Sequence, residues 1–517
     1  MTDRLRLSEH NRRWWTLGAM SFALFMVMLD NTAVNVALPS IQKDFGASLS
    51  ALEWTVNAYT LTFAVLLVTG GRLGDIFGRR RMFLAGVVVF SLASATIGFA
   101  PTEGWLVASR AVQGIGAAFM MPGTLSIISN AFPPEERGKA IGTWAGVSAI
   151  ALAAGPLLGG WLTEEVSWRA IFFLNLPVAV GAVVVTLFAA EESRDETVGR
   201  EVDVPGIAGM TVGLTALVFA LVEGNSWGWG SPAIIGLLAL SVAAFAAFIA
   251  VERRAVAPIV DFEALRSKQF LGANVVAFTV TFGMLAMFFF LALYMQNILG
   301  YGPLAAGVRF LPSTVVIIFA GPIAGRLADR YGPRPLMVTG MLMTAVSLLW
   351  QSRIEVDTSY AYLAPAFALM GLGIGLVMSP MSMAAMNAVD RSKAGVASGT
   401  LSMFRMVGGT FGVAVLGALV ATVGRRDLEQ SLPQVPAATR EALAEGLGSG
   451  AGLQDASPQV VSAAQTAFVD ALGTGLTVSA VVVAAGALLA WLLIAPGRPS
   501  GPAPIPVEAA EAELAPA

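Results

Sequence analysis

Residues 71–80 read GRLGDIFGRR, and residues 325–334 read GRLADRYGPR. The two stretches begin 254 residues apart and share Gly, Arg, Leu, Asp, Gly and the final Arg at the same positions. Each copy follows an apolar stretch long enough to cross a bilayer and precedes another, so each is expected to be a short charged hairpin between two membrane helices. An internal repeat at this distance indicates that the protein consists of two related halves.

The composition is that of a polytopic membrane protein. Of the 517 residues, 56% are hydrophobic and 13% are charged, and the mean hydropathy is +0.73. The first apolar run, 14–39, is too long for a signal-peptide core, so it is interpreted as a retained helix. The chain has no cysteine and a single histidine, His10, which excludes disulfides, thiolate catalysis and His-rich or Cys-ligated metal sites.

Apolar runs of about 17 to 25 residues predict about fourteen membrane helices. The repeat aligns the second predicted helix with the tenth, which gives six helices, two inserted helices and six more. Two-fold pseudo-symmetric helix bundles of this kind are typical of transporters. The predicted spans are 14–38, 51–70, 81–101, 104–127, 140–162, 169–190, 204–222, 233–251, 270–294, 304–324, 335–352, 360–385, 398–422 and 473–495.

The domain organisation follows from these spans. We expect a cytoplasmic tail at 1–13, an amino-terminal bundle at 14–190, the inserted pair with its flanking loops at 191–268, and a carboxy-terminal bundle at 269–495. Residues 424–470 are predicted to form an extracytoplasmic loop with a short helix at 437–445, and 496–517 a disordered cytoplasmic tail. No chemistry is assigned to either of the last two segments.

The distribution of positive charge predicts the orientation. With both termini cytoplasmic, 22 of the 31 Lys and Arg residues lie in cytoplasmic segments, six lie outside and three lie within spans. This bias agrees with the positive-inside rule.

Five motifs in a fixed order carry a resemblance to a known family. They are LDNTAVNVALP at 29–39, the hairpin at 71–81, RAVQGIG at 110–116, GPLLGG at 155–160 and WRAIFFLNLP at 168–177. The chain resembles the major facilitator superfamily, specifically its fourteen-helix drug:proton antiporter branch, the QacA/EmrB-type multidrug exporters. The resemblance covers essentially the whole chain and implies two pseudo-symmetric six-helix bundles with two extra helices.

In the first hairpin, three glycines allow a tight turn, and Asp75 is placed to accept hydrogen bonds from Arg79 or Arg80. One interpretation is a simple topological anchor. The resemblance implies instead a latch that closes the cytoplasmic side when the transporter faces outward, with the first copy dominant because the second has Ala328 and Pro333. The predicted gating residues are Gly71, Arg72, Gly74, Asp75, Gly78, Arg79, Arg80 and Asp329.

Small residues at Gly155, Gly159 and Gly160, with Pro156 between them, predict a helix that kinks and packs closely on its neighbours. Ordinary packing explains the pattern on its own. The resemblance implies that the pattern marks an exporter.

Asp30 and Arg110 lie within predicted membrane helices. An ionised side chain there costs about 2.5 to 3.5 kcal/mol on insertion scales, so such residues are functional candidates. We expect Asp30 to carry the proton and Arg110 to set its affinity; the alternative is a buried structural ion pair. Arg309 and Arg405 are also intramembrane and receive no firm role.

The substrate path is less specified. Polar and aromatic side chains on several predicted helices are candidates to line an apolar cavity near the bilayer midplane. Glu223, before the turn between the inserted helices, is interpreted as an interfacial carboxylate. The candidate cavity residues are Asn31, Asn35, Asn57, Tyr59, Gln113, Phe119 and Tyr294.

These features predict a proton-coupled antiporter that exports amphipathic or cationic drugs and toxic organic compounds across a bacterial cytoplasmic membrane by alternating access. Its expected partners are the substrate, protons and the bilayer, with no cofactor, metal or nucleic acid and with a monomer as the expected state. The sequence shows no Walker A loop or nucleophile elbow, so an enzyme is not expected. The alternatives are a dedicated exporter of one metabolite, such as a self-made antibiotic, amino acid or envelope lipid, and a non-transporting membrane interaction protein or sensor.

Overall fold

The computed structural model describes residues 9–194, 203–225, 227–255, 262–389, 394–445 and 457–496. This part of the chain is helical and contains no strand. Its helices are α1 Glu9–Phe45, α2 Leu49–Phe77, α3 Arg79–Gly98, α4 Glu103–Ala131, α5 Pro134–Glu165, α6 Arg169–Ala189, α7 Val204–Glu223, α8 Pro232–Glu252, α9 Phe262–Leu265, α10 Lys268–Leu293 with a π-turn at Tyr294–Ile298, α11 Pro303–Arg309, α12 Leu311–Tyr331, α13 Pro333–Gln351, α14 Tyr360–Met386, α15 Ala394–Ser431, α16 Ala437–Glu445 and α17 Pro458–Leu493.

Fourteen of these elements are long, counting α11 and α12 together, as the sequence predicts. Twelve are apolar enough over a bilayer-spanning length to be membrane spans by composition alone. The remaining long helices are α5 and α13, of which α13 opens with the proline-rich segment PRP. Both are packed within the bundles like the other long helices, α5 against α1 and α13 against α14 and α17.

Hydroxyl and carboxylate side chains cap several of these helices. Ser48, for example, accepts a hydrogen bond from the Ala51 amide at 3.2 Å, which satisfies one of the backbone donors left open at the start of α2. Comparable caps begin α4, α7, α8 and α10 at Thr102, Asp203, Ser231 and Ser267.

The two six-helix halves repeat one packing pattern. In the amino-terminal half α2 and α3 pack on α4, and α1 packs on α5 and α6; in the carboxy-terminal half α12 and α13 pack on α14, and α10 packs on α15 and α17. The interface between the halves follows the same symmetry, since α2 packs against α15 while α5 packs against α11 and α12. The predicted pseudo-symmetric fold is thereby confirmed.

The inserted helices α7 and α8 pack on each other, and α7 lies against both α2 and α15. The insertion therefore covers one of the two seams where the halves meet. This position could not be predicted from the repeat alone.

Several helices continue past the predicted apolar spans. Residues 9–13 of the expected tail belong to α1. The expected loop at 424–470 is largely helical, since α15 continues to Ser431 and α17 begins at Pro458. The short helix at 437–445 is present as α16. Residues 446–456, 1–8 and 497–517 lie outside the described part of the chain.

The repeated motif is not a hairpin loop. Its first seven residues complete the last turns of α2 or α12, and a single glycine joins each helix to the next. Gly78 has φ 111° and Gly332 has φ 84°, conformations that side-chain-bearing residues rarely adopt. Gly78 and Gly332 therefore set the position of the turn in each repeat.

Candidate functional site

A buried ion pair lies inside the amino-terminal half. Asp30 is 0% exposed on α1 and Arg110 is 1% exposed on α4. Nη1 of Arg110 donates to Oδ2 of Asp30 at 2.5 Å. The structure thus brings together the two intramembrane charges that the sequence singled out.

Gln113 connects this pair to two further helices. Its Nε2 donates to Oδ1 of Asp30 at 3.1 Å and to Oγ of Ser94 at 2.8 Å, while its Oε1 accepts from Arg110 at 2.6 Å. Asn175 on α6 donates to the same Ser94 oxygen at 3.1 Å. We name Asp30, Ser94, Arg110, Gln113 and Asn175 the charge network.

The guanidinium of Arg110 is held on its other sides by α2 and by aromatic rings. Its Nε donates to the Thr55 carbonyl at 3.0 Å, and its central carbon lies 4.3 Å from the centre of the Tyr59 ring and 5.9 Å from that of Phe172. A carbonyl, an amide oxygen and ring faces keep the cation partly compensated even if Asp30 becomes neutral.

Sequence reasoning missed Ser94 and Asn175 as members of this network. Both side chains are buried, at 0% and 1% exposure, in helices α3 and α6 that are otherwise apolar. Asn175 lies within the 168–177 motif, so a buried amide in an apolar helix was the available signal. Ser94 has no comparable signal because serine is common in membrane helices.

The candidate cavity residues Asn31 and Asn35 donate hydrogen bonds to the backbone of their own helix, α1. Asn31 donates to the Val27 carbonyl and Asn35 to the Asn31 carbonyl, each at 3.0 Å. The hydrogen bonds to the Asp30 carboxylate therefore come from Gln113 and Arg110 and not from these two amides.

Most of the candidate cavity residues have little surface to offer a ligand in this conformation. Tyr59 packs on Arg110, and Tyr294 donates its hydroxyl to the Glu355 carbonyl at 2.5 Å. The Asn57 amide is buried without a hydrogen-bond partner among the described residues. Asn31 and Phe119 alone among the seven are half-buried, whereas the buried ones are Asn35, Asn57, Tyr59, Gln113 and Tyr294.

At the first repeat, Asp75 and Arg79 form the expected contact within the motif. Nε of Arg79 donates to Oδ1 of Asp75 at 2.9 Å. The chain after α6 runs alongside, since the Arg80 amide donates to Glu192 at 3.1 Å and its guanidinium to the Leu187 carbonyl at 3.0 Å. The motif thus joins α2, α3 and the end of α6.

The glycines of this motif have separate roles. A Cβ at Gly71 would lie 3.2 Å from Pro122 on α4, so Gly71 serves close helix packing. A Cβ at Gly74 would meet only ordinary contacts, the nearest at 3.8 Å. Gly78 alone makes the turn.

The second repeat is held differently. Asp329 is exposed and forms no ion pair with another described residue. Arg334 lies over the Trp491 ring of α17 at 4.0 Å. The departure expected at Ala328 and Pro333 therefore coincides with a different set of contacts.

The small residues of α5 pack it between the two halves. A Cβ at Gly159 would lie 2.7 Å from Cα of Ala33 on α1, and one at Gly160 would lie 2.6 Å from the Pro303 carbonyl of α11. Pro156 lies inside α5 without ending it. Gly307 of α11 contributes to the same close approach of α5 and α11, because a Cβ at position 307 would overlap the Pro156 carbonyl.

Arg309 and Arg405 lie outside the charge network. The Arg309 guanidinium stacks 3.7 Å from the Tyr301 ring and 5.2 Å from the Tyr360 ring. Arg405 on α15 is half-buried, and its Nε has no partner among the described residues.

We name the end of the molecule where α1 begins and α17 ends the termini side, and the opposite end the far side. Three hydrogen bonds join the halves at the middle or on the far side. Gln296 donates to the Val36 carbonyl at 2.8 Å, the Leu304 amide to Glu164 at 2.8 Å, and the Thr60 and Thr410 hydroxyls share a bond of 2.7 Å. The far side is therefore closed.

A two-fold helical bundle with a buried charge network in one half is the architecture of a membrane transport protein. The sequence profile described as the Major Facilitator Superfamily matches residues 20–413. The chain belongs to this family.

Similar proteins support the same assignment. The Tetracenomycin C resistance and export protein of Streptomyces glaucescens is 38% identical over 84% of this chain and 81% of its own length. The Puromycin resistance protein pur8 of Streptomyces alboniger is 41% identical (79% and 82%), and the Multidrug resistance protein Stp of Mycobacterium tuberculosis is 36% identical (83% and 80%). A bacterial homologue of the human lysosomal transporter Spinster, solved inward-facing and occupied, has the same fold with a TM-score of 0.67 at 15% identity, covering 95% of this chain and 99% of that one.

Proposed function

We propose that the protein exports amphipathic, mainly cationic, organic compounds in exchange for protons. The observation that supports this most directly is the buried pair of Asp30 and Arg110. A carboxylate held away from water in a transport protein is an efficient proton carrier because its charged form depends on one neighbouring cation. The names of the relatives, which include resistance and export proteins, support the class of substrate.

The geometry supports a simple exchange. In the ionised state both oxygens of Asp30 are occupied, one by Arg110 and the other by Gln113. Protonation of Asp30 would remove the negative charge that Arg110 balances. The Arg110 guanidinium would then keep its hydrogen bonds to Gln113 and to the Thr55 carbonyl. Because the charge network spans α1, α3, α4 and α6 and contacts α2 at the Thr55 carbonyl, such a change alters the packing among these helices.

The orientation and the surroundings are part of the same proposal. The excess of Lys and Arg predicted on the termini side supports a cytoplasmic location of both termini in a bacterium. Export then runs from the termini side to the far side, and no cofactor or nucleic acid takes part. Substrate binding is proposed between the two halves near the midplane, with the half-buried Phe119 and Asn31 as contacts.

The proposal is tested with Asp30→Asn in everted membrane vesicles, using ethidium as a fluorescent cationic probe. The variant keeps the size and most hydrogen bonds of the side chain but cannot titrate. We expect proton-driven ethidium transport to be lost while substrate exchange without a gradient continues. Full proton-driven transport at parental membrane levels would contradict the assignment.

A matched double variant controls for folding. Asp30→Asn leaves Arg110 buried without its counter-charge, which destabilises a protein by about 3–5 kcal/mol in buried pairs. Asp30→Asn combined with Arg110→Gln removes both charges and is expected to restore the folded yield without restoring proton-driven transport. Recovery of transport in the double variant would show that charge compensation alone was lost.

A dedicated exporter of one antibiotic is the second candidate. The names of two relatives, each of which refers to a single compound, favour it. Competition of tetracenomycin C, puromycin and unrelated cationic dyes against ethidium distinguishes the two. Inhibition by all of them indicates a multidrug exporter, whereas inhibition by one compound indicates a dedicated exporter.

A further inference from the structure

A second carboxylate is buried at the seam between the halves. Glu53 lies one turn into α2, near the far side, and is 3% exposed. Among the described residues, its Oε2 has no hydrogen-bond partner and no Lys or Arg forms an ion pair with it. Glu53 takes no part in the charge network around Asp30.

The partner helix has a gap that fits this carboxylate. Gly417 of α15 faces Glu53 so closely that a Cβ at Gly417 would overlap the Glu53 carboxylate. The carboxylate therefore lies in the contact between α2 and α15, which belong to different halves.

The inserted pair covers the same place. The Trp54 indole donates to Oε1 of Glu223 at 3.0 Å, which ties α2 to the end of α7. The next turn is tied to α15, because Asn225 donates to the Ala418 carbonyl at 2.9 Å and accepts from the Thr422 hydroxyl at 2.7 Å. We name Trp54, Glu223, Asn225, Ala418 and Thr422 the far-side clasp.

The charged groups around Glu53 do not compensate a negative charge on it. From α7, Glu223, which is bonded to the adjacent Trp54, contributes a second carboxylate and no cation. On α15, Arg425 lies about two turns beyond Gly417, and its guanidinium donates to the Asn225 carbonyl at 3.2 Å. An unpaired carboxylate in such a place is much less costly when it is protonated.

We propose that Glu53 is a proton-exchange group that reaches the far-side solution only when α2 and α15 separate, and that its protonation stabilises the closed far side. The proton taken up on closing returns to the same side on opening, so Glu53 makes the gate sensitive to far-side pH without carrying protons across. The inference rests on the proposed function in that it assumes an alternating-access cycle.

The test measures the conformation directly, without substrate or a proton gradient. Because the chain has no cysteine, spin labels attach only at the introduced Lys43→Cys and Arg353→Cys, two exposed positions near the far-side ends of the halves. Distances between the labels are measured against pH in a background that carries Asp30→Asn and Arg110→Gln, which removes the proposed carrier and leaves neither charge of the pair unbalanced.

We expect the population with the short separation to fall as pH rises, its ratio to the open population changing at most about tenfold per pH unit for one linked proton. Glu53→Gln should stay closed at every pH, and Glu53→Asp should retain the pH dependence. Glu165→Gln, which changes an exposed far-side carboxylate, should behave like the unchanged background.

An identical pH dependence with Glu53→Gln would overturn the proposal, as would a pH-independent separation in the unchanged background or in Glu53→Asp. None of these results bears on the assignment of Asp30 as the proton carrier, which has its own transport test. Conversely, loss of the proposed export function would not alter the meaning of the label distances.

Discussion

Asp30 shows how far single residues can be interpreted from sequence. A carboxylate in the middle of an apolar run is predicted to be functional because an unpaired charge is costly there, and Arg110 is predicted for the same reason. Their direct contact at 2.5 Å follows from the packing of α1 on α4, which the sequence does not specify. The same argument overlooked Glu53, since a glutamate one turn into a helix is expected at the membrane interface.

Arg110→Gln tests the electrostatic coupling of the pair. The cation favours the ionised form of Asp30, so its removal should make Asp30 hold its proton more tightly. We expect the pH profile of transport to move to more alkaline values, because release of the proton inside then requires a higher pH. The profile is measured in proteoliposomes from the initial rate of ethidium transport.

A profile that stays in place, or moves to more acidic values, in an Arg110→Gln protein that still transports would contradict this coupling. Arg309→Gln serves as the control, because Arg309 stacks on Tyr301 and Tyr360, apart from Asp30. Its profile should match that of the parent.

At the scale of helices, apolar runs predicted the number and order of the elements, and the repeat predicted their symmetry. The ends were predicted less well, because α15 and α17 continue as helices beyond any apolar run, into polar segments such as 424–431 and 458–470. The motif at 71–80 was interpreted as a hairpin, whereas seven of its residues complete α2. Glycine spacing marks a turn only where φ is positive, and sequence does not show which of three glycines that is.

Gly78→Ala and Gly74→Ala form a matched pair for this motif. Alanine at 78 would have to adopt φ 111° and would place its Cβ 2.6 Å from Oε1 of Glu192, so we expect a loss of stability on the order of 1–3 kcal/mol. Alanine at 74 lies within α2 and meets only ordinary contacts, so we expect no loss and a gain of up to about 1 kcal/mol. Thermal unfolding of the purified variants measures the difference. Equal unfolding temperatures would place the turn elsewhere.

At the scale of the molecule, the halves are related by the same helix contacts, and they meet at α2 with α15 and at α5 with α11 and α12. The hydrogen bonds of Gln296 to Val36 and of Leu304 to Glu164 join the halves and close the far side. A transporter must at some stage break these contacts and form others on the termini side. The motif at 71–80 lies on that side, where Asp75 pairs with Arg79 of its own motif.

Asp75→Asn tests whether this motif stabilises the alternative conformation. A partly exposed pair at i, i+4 contributes only about 0.3–0.5 kcal/mol, so folding should be nearly unchanged. We expect turnover to fall severalfold while the dissociation constant of ethidium stays within about twofold, because a latch changes the populations of states without touching the substrate. Binding and transport are measured on the same purified protein. Unchanged turnover with weakened binding would move the motif from gate to binding site.

The central claim is proton-coupled export, and it is tested most directly with the purified protein in proteoliposomes under an imposed pH gradient. Ethidium movement and the internal pH are followed together, the latter with a trapped pH-sensitive dye. The account predicts that ethidium moves against its concentration gradient only while the pH gradient lasts, that protons move in the opposite direction, and that an uncoupler stops both. Accumulation of ethidium that is indifferent to the pH gradient, or no proton movement during ethidium transport, would contradict it.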